Sequence, residues 1–164
     1  MYQYLSSIGV STECFSSPLN SYMKNYMSPY IDVDGTFGSI GSFFKYKFEH
    51  GNYEVHPPSI TSIVNQMVKH IEFTLDKASE SDIAISFYIF VSENNSTLRE
   101  SKYKRFDTFL SKGNHLYTNG DQYTNPGVHI STTDTYVFIL QNDMGSTMYP
   151  ISKDIEKSIK ASFV

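Results

Sequence analysis

"YEVHPPSITSIVNQMVKH", residues 53–70, decides how this chain is read. An extended run stops at His56-Pro57-Pro58-Ser59, and a helical pattern begins at once. Ile60, Ile63, Val64, Met67, Val68, Ile71 and Leu75 recur at i, i+3, i+4, i+7, i+8, i+11 and i+15, the stripe of an amphipathic helix of about four turns. Ser59 stands where a side-chain oxygen can cap its first turn. Each proline fixes its own φ and lacks an N–H, and each pushes the residue before it toward extended backbone. His56 and Pro57 are therefore held extended, their carbonyls kept out of the helix. A proline here is commonly only a helix start. The same elbow also fixes a side chain and a carbonyl in space, two acceptors able to grip the two N–H donors of an amino group.

Upstream, "IGVSTECF" (8–15) reads as a short strand ending near Phe15. A turn and a short helix follow, with Leu19, Tyr22, Met23 and Tyr26 on one side. "SPYIDVDGTFGSIGS" (28–42) is a loop, and the weak alternation of "FFKYKF" (43–48) reads as a strand. Downstream, "DIAISFYIFVSE" (82–93) and "TYVFILQND" (135–143) are buried strands. Residues 94–114 between them are polar and partly helical. Asn119-Gly120 and Asn125-Pro126-Gly127 are turn signals. "SKDIEKSIKASF" (152–163) is an amphipathic helix capped by Ser152. Strand, turn, helix, buried strand is the order of an α/β fold, a mostly parallel sheet with helices on both faces. Ligands in such sheets sit beyond the carboxyl ends of the strands. Two turns qualify, Phe15-Ser16-Ser17-Pro18 and His56-Pro57-Pro58-Ser59.

The 164 residues fit a single domain, 1–164, with 40% apolar residues and 18% charged ones to build a core and a surface. A net charge of −4 gives no global support for nucleic-acid binding. The lone Cys14 excludes an internal disulfide framework and points to a reducing, intracellular setting, cytoplasmic or nuclear. No apolar run reaches the roughly 18 residues of a membrane helix, so no membrane partner is expected. His50, His56, His70, His115 and His129 show no metal-ligand spacing, and no metal is expected. Asp32 and Asp34 serve either a ribose or only their own turn. "FGSIG" is a weak phosphate-loop match. "KYKR" (102–105), beside Phe106, is more readily a solvated surface than a nucleic-acid contact.

Six segments carry a resemblance: "GVSTECFSSPLNSY" (9–22), "DVDGTFGSIGSFF" (32–44), "YEVHPPS" (53–59), "ISFYIFVSE" (85–93), "KYKRF" (102–106) and "VFILQND" (137–143). Their order and spacing resemble the catalytic domain of the phosphorylated-CTD-interacting-factor family, the cap-specific adenosine methyltransferases. "ECFSSPLN" and "FILQND" are the most specific pieces. The resemblance implies a Rossmann-like class I methyltransferase core using S-adenosylmethionine, held by Phe15, Ser16, Ser17, Pro18 and Asn20 with Asp34 nearby. It implies that His56, Pro57, Pro58 and Ser59 stand at the family's Asn-Pro-Pro-aromatic tetrapeptide. There an acceptor side chain and a proline carbonyl hold an adenine amine while the aromatic ring stacks on the base. RNA, capped mRNA above all, is the partner so implied. This sequence departs from the motif. Neutral His56 can accept a hydrogen bond, but Ser59 cannot stack, and Ile40 replaces a usual basic residue. Weak or absent turnover is expected, the alternative being a binding or scaffold module that keeps the fold. The family's upstream helical region has no counterpart here, so cap recognition is expected to need a protein partner or a longer chain.

Overall fold

A computed structural model describes residues 1–118 and 127–163. The Asn119-Gly120 turn and the Asn125-Pro126 pair lie outside the described residues. In chain order the helices are α1 (Tyr2–Ser7), α2 (Ile31–Asp34), α3 (Thr61–Glu80), α4 (Ser96–Glu100), α5 (Asp143–Met148) and α6 (Ile155–Ala161). The strands are β1 (Val10–Glu13), β2 (Asn25–Tyr26), β3 (Gly51–Val55), β4 (Ile85–Val91), β5 (Lys104–Leu110), β6 (Leu116–Thr118), β7 (Val128–Ile130) and β8 (Thr135–Gln141). Six strands form one sheet in the order β2-β1-β3-β4-β8-β5. The pairs β1–β2, β1–β3 and β3–β4 are parallel, and β8 runs antiparallel between β4 and β5. β6 and β7 make a separate antiparallel hairpin.

The sheet is covered on both faces, which is why its central strands read as continuous apolar runs. In β4, Ile85, Phe87, Ile89 and Val91 join the cluster built by α3 through Val64, Met67, Val68, Ile71 and Leu75. The alternate residues Tyr88 and Phe90 meet Leu5 of α1, Ile155 and Ile159 of α6, and Phe163. β8 divides the same way, Phe138 and Leu140 toward α3, Val137 and Ile139 toward α6.

α3 confirms the apolar stripe but not its cap. Ile60 is the N-cap and makes no side-chain cap bond, while the Ser59 hydroxyl accepts from Ser92 at 2.9 Å. A missing cap costs about 1 kcal/mol. Each large side chain buried on the stripe contributes about 1.5–3 kcal/mol, so packing decides. At α6, Ser152 likewise accepts from the N–H of Asp154, the N-cap residue, rather than capping the helix itself.

Three segments differ from expectation. Residues 16–27 form a turn and the edge strand β2, not a helix, with Leu19 and Tyr22 exposed. The cause is non-local: the Glu13 carboxylate accepts the Tyr22 and Met23 N–H groups and holds the chain open. "FFKYKF" is a turn, not a strand. Lys45 and Tyr46 N–H groups bond Ser42 O, and Phe43 and Phe48 bury against the α3 side without a ladder. The polar stretch after β4 holds β5, an edge strand whose charges hide its pattern. The 28–42 loop contains the short α2 and a 3₁₀ turn, Gly35–Phe37.

"QND" closes the end of the sheet opposite the carboxyl ends of β3 and β4. Asn142 Oδ1 accepts from Ile85 N (3.2 Å) and Gly145 N (2.8 Å), and its Nδ2 donates to Ile83 O (2.7 Å). Gln141 Nε2 donates to Ser86 Oγ and Tyr149 O, each at 2.8 Å. Gly145 is pressed on the Ile85 carbonyl, and any Cβ there collides with it. Asn142→Ala strands three backbone groups, two of them in buried bonds, and is expected to lower unfolding stability by at least ~2 kcal/mol, since each stranded buried group costs about 1–3. Gly145→Ala is expected to destabilise as well, both read by urea denaturation.

Candidate active site

Both turns singled out in the sequence open on one cavity of about 770 Å³ beyond the carboxyl ends of β1 and β3. Phe15, Ser16 and Asn20 line one side and His56, Pro57, Pro58 and Ser59 another, with Glu13, Tyr2, Tyr22 and Tyr117 between. A second cavity of about 310 Å³ shares Phe15, Ser16, Asn20 and Pro58 and adds Ser17, Phe43 and Phe44. The Phe15–Asn20 turn is thus the wall between the two. Pro18 and Asp34 line neither; Asp34 closes α2, apart from both.

The turn after β1 is held by one side chain. Asn20 Oδ1 accepts from Ser16 Oγ (3.0 Å), Ser17 N (2.8 Å) and Ser17 Oγ (2.9 Å). Both hydroxyls keep acceptor lone pairs, and the Asn20 amide nitrogen keeps its donors. Ser16 N donates to Met27 O and Cys14 N to Glu54 O, which continues the sheet to the cavity edge.

The elbow after β3 behaves as its prolines dictate. The Pro58 carbonyl is taken by Ile60 N at 2.7 Å, while among the described residues the Pro57 carbonyl accepts no backbone N–H. It stays available beside His56. Ser59 turns to Ser92 and presents no ring.

Three ionisable groups sit at the strand ends. Glu13 and Glu54 are register partners on β1 and β3, each 1% exposed. Burial raises the Glu13 carboxyl pKa, outweighing the Met23 and Tyr22 N–H bonds that lower it. Burial, then the Glu13 charge, pushes Glu54 well above the usual carboxylate range. Glu54 Oε1 has no hydrogen-bond partner among the described residues and lies 4.0 Å from His56 Nδ1. Burial drops His56 to about 4, although 34% of its side chain is open to the cavity. Burial alone accounts for the His56 shift. At neutral pH the ring presents a nitrogen acceptor rather than a cation.

Sequence reasoning missed Glu13, Glu54 and Tyr117. The carboxylates are adjacent only because β1 and β3 pair in parallel register, and Tyr117 arrives on the β6–β7 hairpin. The basic-aromatic cluster is a set of surface ion pairs. Arg99 and Lys104 meet Asp107, Lys102 meets Asp76, and Arg105 meets Asp143. Among the described residues no group of three or more His, Cys, Asp or Glu could hold a metal.

Residues 2–120 match the family model described as "Phosphorylated CTD interacting factor 1 WW domain". The chain belongs to that family. It is 31% identical over 165 residues to the Homo sapiens mRNA (2'-O-methyladenosine-N(6)-)-methyltransferase, over 94% of this chain and 23% of that protein. It is 33% identical over 147 residues to the Mus musculus protein of the same name, over 84% of this chain and 20% of that one. The chain thus spans less than a quarter of the length of these curated relatives. The family description carries the words WW domain, yet this chain has no tryptophan, and the matched residues run from α1 through β6.

The buried carboxyl predicts a pH signature. A carboxyl whose folded pKa is raised keeps in the folded state a proton that the unfolded chain releases above its ordinary 4.5. Stability is therefore lost as pH climbs from that value through the folded one. Glu54→Gln cannot titrate, so its stability advantage is expected to be smallest near pH 4 and to grow toward neutrality. His56 works in the opposite sense between about 4 and 6.5, but it is present in both proteins and drops out of the difference. Urea denaturation across pH 4–8 checks this; a difference that is flat or shrinks with pH contradicts it.

Proposed function

We propose that the chain is an S-adenosylmethionine-dependent adenosine-methyltransferase-like domain that binds RNA, built on a Rossmann-like class I core. The observation that carries this reading is the meeting of the Phe15–Asn20 turn and the His56–Ser59 elbow on one cavity. The mostly parallel sheet, with its site beyond the strand ends, supports it, and so do the names of the curated relatives.

The cavity fits the methyl donor on chemical grounds. Its volume lies in the usual range for small-molecule sites. Glu13 and the Ser16 hydroxyl give the cavity wall oxygen acceptors suited to a ligand with an ammonium and a sulfonium. Phe15, Ser16 and Asn20 would hold it, with Ser17 facing the smaller cavity on the same turn and Asp34 left as an outlying candidate. S-adenosylmethionine, when bound, supplies a methyl group activated by its positive sulfur.

The chain's own work is positioning. Neutral His56 accepts one hydrogen of an exocyclic amine, the Pro57 carbonyl accepts the other, and the double proline fixes their separation. The low His56 pKa keeps a second positive charge away from the sulfonium. Ser59 supplies no stacking wall, and such a wall is worth about 1–3 kcal/mol. If felt in the transition state, that is about five- to 150-fold in rate. The degenerate motif therefore makes this domain a weak catalyst or a binding module.

Calorimetry is expected to show weak, measurable binding of S-adenosylmethionine and of its demethylated product. Ser16→Arg, which projects from the same turn into the larger cavity, is expected to abolish it. No heat at millimolar ligand, with folded protein, overturns the reading. In a radiolabelled transfer assay on capped RNA beginning with adenosine, the unmodified chain is expected to give little product. His56→Asn with Ser59→Phe is expected to exceed either single change, because both act on one bound base. Robust turnover by the unmodified chain would show His56 to be a full substitute for the usual acceptor.

A further inference from the structure

With Ser59 turned away, the base gripped at the elbow needs another wall. Besides His56, the larger cavity is lined by five aromatic side chains: Tyr2, Phe15, Tyr22, Tyr117 and Phe163. Four are committed elsewhere. Tyr2 and Tyr22 stack on each other, centroids 4.5 Å apart and planes 11° apart. Phe15 leans on Phe43 at 4.8 Å. Phe163 is 3% exposed and stands edge-on to Tyr117. Tyr117 is the ring beside the elbow, its centroid 5.8 Å from that of His56 with planes 40° apart.

Tyr117 is also the best anchored of the five, and the direction of its anchoring can be worked out. His115, 1% exposed, places Nδ1 2.9 Å from the Ser111 carbonyl, which can only accept. In the neutral ring that nitrogen carries the proton, so Nε2 accepts from Thr135 Oγ1 at 2.9 Å. Thr135 has then spent its proton, so the Tyr117 hydroxyl must be the donor in the 2.7 Å bond between them. The phenol is tied into the protein, and it is the ring that lines the cavity. His129, its cross-strand partner, stacks on it at 6.2 Å. A ring held this way loses little freedom when a base arrives, which favours binding.

We propose that Tyr117 is the stacking wall for a purine nucleotide whose exocyclic amine is held by His56 and the Pro57 carbonyl. This assignment rests on the methyltransferase-like reading of the site. It moves the aromatic partner of the base from the fourth residue of the tetrapeptide to a separate hairpin. The elbow can then lose its own aromatic residue and the site still bind adenine.

The test is calorimetric titration of adenosine 5'-monophosphate into the full chain, with and without saturating S-adenosylhomocysteine. Tyr117→Ala is expected to weaken nucleotide binding about five- to 150-fold, the alanine cost of one base–aromatic stack. Tyr117→Phe, which keeps the ring and loses only the hydroxyl anchor, is expected to stay within about threefold of the parent. Phe109→Ala, an exposed ring outside the cavity, is expected to do the same. Should Tyr117→Ala fail to fold, Tyr117→Leu gives the comparison without an aromatic ring. The heat of S-adenosylhomocysteine binding is expected to be unchanged in every variant. Unaltered nucleotide binding in Tyr117→Ala, equal damage from Tyr117→Phe, or no nucleotide binding by the parent overturns the proposal. Nucleotide binding that needs the Tyr117 ring, with no S-adenosylhomocysteine heat at all, upholds the wall and overturns the methyl-donor reading.

Discussion

The structure turns on the way β3 stops. A strand buried along four of its five positions meets two prolines and cannot continue as strand or begin as helix. The chain must cross the carboxyl edge of the sheet in extended form before α3 can start at Thr61. That crossing leaves a carbonyl with no backbone partner among the described residues, and an imidazole over the end of β3. α3 then packs six side chains against the sheet and fixes the elbow from below. The Ser59–Ser92 bond ties it to the exit of β4. The elbow is rigid because its two sides are bound to two neighbouring parallel strands.

The same edge collects charge that a fold optimised only for stability would avoid. Moving an ionised carboxylate out of water costs several kcal/mol, whereas one pKa unit costs 1.36 kcal/mol. Burial therefore pushes the Glu54 carboxyl toward its protonated form and the His56 ring toward its neutral one. Glu13 has a third solution, two backbone N–H donors from the β1–β2 connection. Perturbed groups facing one cavity are what a site of chemistry or charged-ligand binding tends to contain. The opposite end of the sheet shows the contrast. There the Gln141 and Asn142 amides bond backbone and hydroxyl groups, and their task is to hold β4, β8 and α5 together.

What could be read from the residues follows from the range of the forces involved. α3, β4 and β8 were legible because burial on one face or both writes a periodicity into the chain. The two turns were legible because proline and small polar residues limit backbone locally. β5 was not, since this edge strand fully buries only Leu110 and carries ion-pairing charges outward. The stretch after Phe15 was not, because a carboxylate nine and ten residues away captures the N–H groups of Tyr22 and Met23. The Glu13–Glu54 pairing depends on the register of β1 and β3, and the placing of Tyr117 on a hairpin folding back over the sheet. Neither leaves a local mark.

The central claim is that one cavity, walled by the Phe15–Asn20 turn and the His56–Pro57 elbow, receives the methyl donor with its sulfur facing the elbow. A crystal structure of the chain with S-adenosylhomocysteine tests this most directly. The account predicts the ligand against Phe15, Ser16 and Asn20, its sulfur directed toward His56 and the Pro57 carbonyl. A ligand bound elsewhere, or one in the cavity with its sulfur turned away from the elbow, would contradict it.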